Sequence, residues 1–305
     1  MILAVDIGGT KIAAALVTTD GQLASDIAQL PTPAQDGPAA VMRAVEAVVR
    51  QVGGAGPAGH EAQAIGVSAA GVIDSDRGVV LAATSSITGW AGTDIAGHLS
   101  SAFGVPTSVI NDGNAFALGE SRFGVGQGHG DLLLMAVGTG VGGGYLHAGQ
   151  PVFGEHHVGG HLGHLVVPQA QGMTCPCGAK GHLEAIAGGA GMLAWYHTSG
   201  GELSLTSARE LFGRDGDTLA STAIRLGATA AGTAAGGLAN ALDPGIVVFA
   251  GGVVGAGEEW THPARAAFRA TLMPALAELP LAFASGGVEM ALLGAAVFAE
   301  GRMQR

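Results

Sequence analysis

Lysine is nearly missing from this chain of 305 residues: Lys11 and Lys180 are the only two, and lysine plus arginine number 13 against 24 aspartates and glutamates. A net charge of −11 leaves no basic stripe for tracking phosphates along a nucleic acid, which argues against DNA or RNA as partners. Charged residues of both signs are scarce, at 12 % against about 25 % in ordinary domains, and disorder needs the opposite balance. Mean hydropathy is +0.41, yet no run of about 18 uninterrupted apolar residues occurs, so no membrane span is expected. Asp6 interrupts the first apolar stretch and no basic residue precedes it; the start does not read as a signal peptide, and a cytoplasmic protein is expected. Cysteine occurs twice, at Cys175 and Cys177. That pair is too close for an ordinary structural disulfide, and metal ligation is the better reading.

Glycine, by contrast, is abundant: 54 residues, well over twice the usual level of about 7 %. At roughly 150 residues per domain the length predicts two domains, each able to bury a core. Two apolar runs over 2–17 are broken by Gly8 and Gly9 and followed, after Asp20-Gly21, by a third, which predicts an antiparallel meander. Helical spacing over 37–52, a strand over 64–72, a helix over 93–103 and a strand over 107–110 follow. A second glycine-broken strand pair over 131–149 echoes the first. A long helix over 217–242, the strand IVVFA and a closing amphipathic helix over 288–300 complete an α/β pattern. The expected division is residues 1–112 with the returning C-terminal helix 288–305, and residues 113–287.

Three glycine turns are candidates for holding phosphate. Asp6-Ile7-Gly8-Gly9-Thr10-Lys11 offers backbone N–H groups, a hydroxyl and an ammonium, and Asp6 could orient Mg²⁺ through water. The alternative is a plain type I′ hairpin with nothing bound. Gly138-Thr139-Gly140 begins a turn with five glycines in seven residues, more than a hairpin needs. Gly251-Gly252 ends the strand IVVFA, where ligands of open sheets bind, or simply serves strand-to-helix packing. No Walker loop is present.

In Val109-Ile110-Asn111-Asp112-Gly113-Asn114, an apolar strand ends on an amide and a carboxylate. Asp112 is either the N-cap of the following helix or a general base for a hydroxyl attacking a γ-phosphate, with Asn111 holding neighbouring hydroxyls. Further on, His161, His164, Cys175, Cys177, His182 and Glu184 crowd into a short stretch. The spacing lets one loop wrap a tetrahedral ion with His164, Cys175, Cys177 and His182 as ligands, a closed structural zinc shell. Two free thiols with unrelated histidines are the alternative.

Taken together, DIGGTK, INDGNA, GTGVGGG and CPCGAKGHLE, in this order across essentially the whole chain, resemble the ROK family of repressors, open reading frames and sugar kinases. The resemblance implies a two-domain actin-like ATPase fold with a ligand cleft between the domains. It implies ATP-dependent, Mg²⁺-assisted phosphorylation of the 6-hydroxyl of a hexose or N-acetylhexosamine, with a structural zinc ion and a homodimeric assembly. Asp112 would be the base and Ser86, Asn111, His161, His164 and Glu184 the sugar contacts. Asp6, Gly8, Gly9, Thr10, Lys11, Gly138, Thr139, Gly140, Gly251 and Gly252 would lie at the nucleotide.

Three positions depart from the family pattern. His182 stands where the zinc loop usually has a third cysteine. His161 replaces the usual glutamate of Glu-x-Gly-His, as in bacterial N-acetylmannosamine kinases. Ser86 replaces the asparagine of Asn-Leu-x-Gly-Trp. A neutral imidazole cannot accept two hydroxyl hydrogen bonds as a carboxylate can, so N-acetylmannosamine is the favoured substrate and glucose the alternative. Competing expectations are a sugar-sensing repressor, which would carry a helix-turn-helix domain ahead of DIGGT, and a silent sugar-binding protein. Polyphosphate is the alternative donor.

Overall fold

The computed structural model describes residues 1–53 and 62–304. Chain contacts divide it into two compact units: Met1–Gly128 with Gly149–Gly159 and Val288–Arg305, and His129–Ala148 with Gly160–Gly287.

The first unit opens with β1 (Ile2–Ile7), β2 (Lys11–Val17) and β3 (Ala28–Pro31), followed by α1 (Pro38–Val52) and β4 (Ala64–Ala69). Then come β5 (Val72–Asp74), β6 (Val79–Ala82), α2 (Ile95–Phe103), β7 (Thr107–Asn111) and α3 (Asp112–Phe123). The sheet order is β3-β2-β1-β4-β7, with β1 antiparallel to β2 and parallel to β4, which in turn runs parallel to β7. β1 and β4 are almost wholly buried, as strands covered on both faces must be, and this is why they read as continuous apolar runs. α1 starts on Pro38, whose missing N–H costs nothing there, and stops on Gly53 at φ 77°.

In the second unit, β8 (Leu132–Val137) and β9 (Val141–His147) form the second hairpin. The two-residue strand β10 (Gln150–Pro151) lies in the segment that belongs to the first unit. The second unit resumes with α4 (Glu184–Ala187), α5 (Gly189–Thr198), α6 (Thr218–Leu242), β11 (Ile246–Ala250), α7 (Glu258–Thr271) and β12 (Leu281–Phe283). Its strands run in the order β9-β8-β11-β12, with β11 parallel to both β8 and β12. An antiparallel hairpin followed by two parallel strands therefore occurs in each unit, matching the echo in the sequence. α6 begins on Asp217, whose carboxylate accepts from Leu219 and Ala220 N–H, and ends on Asp243 in the left-handed region.

α8 (Val288–Met303) closes the chain within the first unit. The sequence suggests an amphipathic helix, but Ala291, Leu292, Leu293, Gly294, Ala295, Ala296 and Ala299 are all buried, on more than one face. The reason is that α8 is clasped between the sheet and α3. A Cβ on Gly294 would overlap Ala115 O, one on Gly119 would overlap Met290 O, and one on Gly66 would overlap Ala295 O. The same close packing keeps α3 with the first unit, so the contact boundary falls after α3 and not at Asp112. The expected strand over 64–72 is two strands, broken where Gly71 takes φ 108°. Among the described residues no helix is long and apolar enough to cross a membrane.

Candidate active site

Strand register brings three polar side chains to the carboxyl ends of adjacent strands in the first unit. Asp6 on β1 pairs in register with Ser68 on β4, and Ala69 pairs with Asn111 on β7. Ligands of such sheets bind at this end. Ser68 is fully buried, and its hydroxyl donates to Asp6 Oδ1 at 2.6 Å. Burial raises the Asp6 pKa from 3.8 to about 6; the Ser68 hydrogen bond opposes that rise and the neighbouring Asp112 carboxylate adds to it. The folded value lies above the unfolded one, so the folded state holds the proton more tightly and stability is lost as pH rises from about 4 to about 6. Asp6→Asn keeps an acceptor for Ser68 and is expected to raise the urea midpoint at pH 7. The gain should vanish below about pH 4, and an unchanged midpoint at pH 7 would count against this account.

Asp112 is not the helix cap. Asn111 caps α3, its Oδ1 accepting from Gly113 N–H at 3.0 Å and Asn114 N–H at 3.3 Å, which leaves Asp112 in the first turn. Asn111 Nδ2 donates to Gly71 O at 2.9 Å and to Asp112 Oδ1 at 2.8 Å. Both ends of the amide are thus occupied within the protein, where the sequence suggested contacts with ligand hydroxyls. Asp112 Oδ1 also accepts from Gly113 N–H at 2.8 Å, while Oδ2 has no partner among the described residues. The residue is exposed, yet protein atoms crowd the carboxyl group closely enough that desolvation raises its pKa against the Gly113 and Asn111 hydrogen bonds. An oriented carboxylate with one free oxygen and a raised proton affinity is equipped to accept a proton.

The first glycine turn is not a type I′ hairpin, because neither Gly8 nor Gly9 has a positive φ. Gly8 N–H donates to Lys11 O at 3.0 Å, and the turn is braced by Thr32, which donates its hydroxyl to Gly8 O and its N–H to Thr10 O. The N–H groups of Gly9 and Thr10 have no partner among the described residues. Ser86 is exposed, beside Gly9, and its Oγ accepts from the Thr84 hydroxyl at 3.1 Å. Lys11 is exposed at the start of β2.

In the second unit, the turn between β8 and β9 holds Gly138 N–H on Gly140 O at 3.0 Å. From α5, Gly189 and Ala190 donate to the carbonyls of Gly138 and Thr139 at 2.8 and 2.9 Å. Thr139 and Gly140 N–H remain free among the described residues. A Cβ on Gly138 would meet nothing within 4 Å and its φ is not positive, so neither strain nor a protein neighbour requires glycine there. Gly251 is different. It takes φ 98° and a Cβ would press on Val137 O at 2.5 Å, so strand packing explains it, whereas Gly252 faces open space.

His164, Cys175, Cys177 and His182 come together, one ligand atom from each lying within 4.8 Å of the others. Cys175 Sγ is 3.7 Å from His164 Nδ1 and Cys177 Sγ is 3.3 Å from His182 Nδ1, bracketing the edge of about 3.5 Å that ordinary zinc–sulfur and zinc–nitrogen bonds imply for a tetrahedron. The loop doubles back through bridges between Thr174 and Lys180 and between Val166 and His182. It turns at Gly178 and Gly181, whose φ values of 92° and 81° only glycine adopts easily. Burial pushes the Cys175 thiol up to about 11, which makes it inert unless a cation draws off the proton. The donor set fits a closed zinc shell.

His161 precedes this cluster, its ring stacked 6.2 Å from that of His164. Its Nε2 is buried with no hydrogen-bond partner among the described residues, and burial, helped by His164, lowers its pKa and so favours the neutral ring. Glu184, two residues past His182, accepts from Val141 N–H through Oε2 at 2.9 Å. Sequence reasoning passed over Ser68, Thr32 and this Glu184 contact. A lone serine in the otherwise apolar strand AIGVSA was the available signal for Ser68; the other two join segments far apart in the chain and leave no local trace.

A profile of the ROK family matches residues 2–302. The chain is 31 % identical to the glucokinase of Thermotoga maritima, covering 97 % of this chain and 96 % of that one. It is 34 % identical to an N-acetylmannosamine kinase of Escherichia coli, covering 98 % of each. Among solved structures, the ROK family glucokinase from Streptomyces griseus in complex with glucose and AMPPNP superimposes with a TM-score of 0.83 at 31 % identity, covering 98 % of this chain and 99 % of that one.

Proposed function

Because the chain belongs to the ROK family and has the mixed α/β, actin-like ATPase fold of its sugar kinases, we propose that it transfers the γ-phosphoryl group of ATP to the 6-hydroxyl of a hexose or N-acetylhexosamine, N-acetylmannosamine being favoured. The observation that carries this reading is the Asp112 carboxylate, held through Oδ1 by Asn111 and Gly113 with Oδ2 free. Asp112 takes the proton of the attacking hydroxyl as the new oxygen–phosphorus bond forms and the bond to the β-phosphate oxygen breaks, releasing ADP. The chain's remaining work is positioning and charge neutralisation. Gly9 and Thr10 N–H with Lys11, and Thr139 and Gly140 N–H, would bind phosphate oxygens. Mg²⁺, when bound, supplies the neutralising charge, and Asp6 would orient it through water. His164, Cys175, Cys177 and His182 would hold zinc, which ties the loop together.

The choice of sugar rests on His161. Its ring, whose neutral form burial favours, offers one buried Nε2 unpaired among the described residues, whereas a carboxylate there would accept from both the 1- and 2-hydroxyls of glucose. An unpaired buried partner costs roughly 1–3 kcal/mol, or about 5- to 150-fold, so glucose is penalised more than a sugar bearing an amide at position 2. Relatives named for each sugar support both readings, and glucokinase activity is the second. A coupled assay of kcat/KM on glucose, mannose, N-acetylglucosamine and N-acetylmannosamine, in the native protein and in His161→Glu, tests this. N-acetylmannosamine is expected to be best, and the substitution is expected to move the ratio toward glucose. If glucose already wins in the native protein, or the substitution leaves the ratio unmoved, His161 is not the selector.

A further inference from the structure

We propose that Glu184 is a positioning residue that couples the metal loop to the second glycine turn, so that filling the His164–Cys175–Cys177–His182 site tightens the binding of a nucleoside triphosphate even without sugar. This rests on the reading of that turn as a phosphate binder and of the cluster as a zinc site.

The Glu184 carboxylate touches both. Oε2 accepts from Val141 N–H at 2.9 Å, while Oε1 lies 4.0 Å from Cys175 Sγ. A Cβ on Gly140 would collide with Oε2, so the carboxylate packs directly beneath the turn. Backbone on both sides of the loop is equally close. A Cβ on Gly188 would press on Thr139 O at 2.8 Å, and one on Gly163, next to His164, would overlap Val141 O. With Val141 N–H occupied by Glu184, the N–H groups left for an anion are those of Thr139 and Gly140, and the carboxylate sets their direction. His182 is two residues before Glu184 and Leu183 N–H is bonded to Leu165 O at 2.7 Å, so an ion joining His182 to His164 clamps the segment that carries the carboxylate. Linkage makes the coupling mutual: a nucleotide must raise the affinity for zinc by the factor by which zinc raises the affinity for nucleotide.

The test compares the full chain as loaded with zinc, stripped by chelator, and reloaded. A non-hydrolysable ATP analogue is titrated calorimetrically without sugar, and amide exchange is followed over 138–142. Stripping is expected to weaken the analogue about tenfold or more, the worth of one charge-assisted hydrogen bond, and to deprotect Val141 N–H. Glu184→Ala, with its zinc content measured as unchanged, should bind like the stripped native protein and lose nothing further on stripping. Glu184→Gln, which keeps an acceptor for Val141, should recover part of the affinity and protection. Unchanged affinity and exchange on stripping, or native affinity in zinc-loaded Glu184→Ala, overturns the coupling while leaving the kinase reading intact. Failure of the loaded native protein to bind the analogue at all overturns the nucleotide reading itself, and the coupling with it.

Discussion

Replacing Asp112 with asparagine is expected to lower turnover at saturating sugar by about 10²- to 10⁴-fold, the usual worth of a positioned general base, while leaving sugar affinity within a few-fold. The geometry makes this a clean substitution. Asparagine Oδ1 still accepts from Asn111 Nδ2 and Gly113 N–H, the two bonds that orient the native side chain, so α3 and its cap need not move. Only the second oxygen changes, from a carboxylate able to take a proton to an amide nitrogen that cannot. Steady-state kinetics with calorimetric sugar binding decides it. Turnover near the native rate would remove Asp112 from the chemistry, and loss of sugar binding in step with rate would recast it as a binding residue.

Cys175→Ala is expected to abolish zinc retention. The native chain should carry about one zinc after gel filtration without chelator, and the variant close to none. Cys175 is the buried member of the cluster, at 2 % exposure, and pairs with His164 across the loop. Structural zinc contributes on the order of 10 kcal/mol or more to small zinc-dependent folds. Here the backbone bridges of the loop and the large apolar core beneath it hold part of the shape without metal, so the expected outcome is a lowered melting temperature, by about 5 °C or more, and not an unfolded chain. Metal analysis and a thermal melt check both. A native protein purified without zinc yet fully active would mean that imidazole at 182 does not replace the family's thiolate.

The sequence by itself determined the features written in consecutive residues. Alternating and continuous apolar runs specify the two hairpins, and glycine at 178 and 181 between thiols and imidazoles specifies a loop that can wrap an ion. The order of the four motifs specifies the family. All of these are local, set by periodicity, turn chemistry and spacing along one segment. Tertiary structure alone decided where long-range register and close approach assign the roles. Asp112 is freed from capping because Asn111 takes that task and is itself anchored by Gly71 O, forty positions earlier. Asp6 is raised toward neutrality because the folded chain buries its carboxyl group, an effect that the hydrogen bond from Ser68, sixty-two positions away, only partly offsets. Gly251 serves packing and Gly138 does not, a distinction made by Val137 O at one and empty space at the other. α8 is buried beyond what its own pattern implies because three glycines let α3 and β4 close on it. The physical reason is common to these cases: a side chain's hydrogen-bond partners and desolvation come from neighbours in space, and adjacent strands and packed helices draw those neighbours from anywhere in the chain.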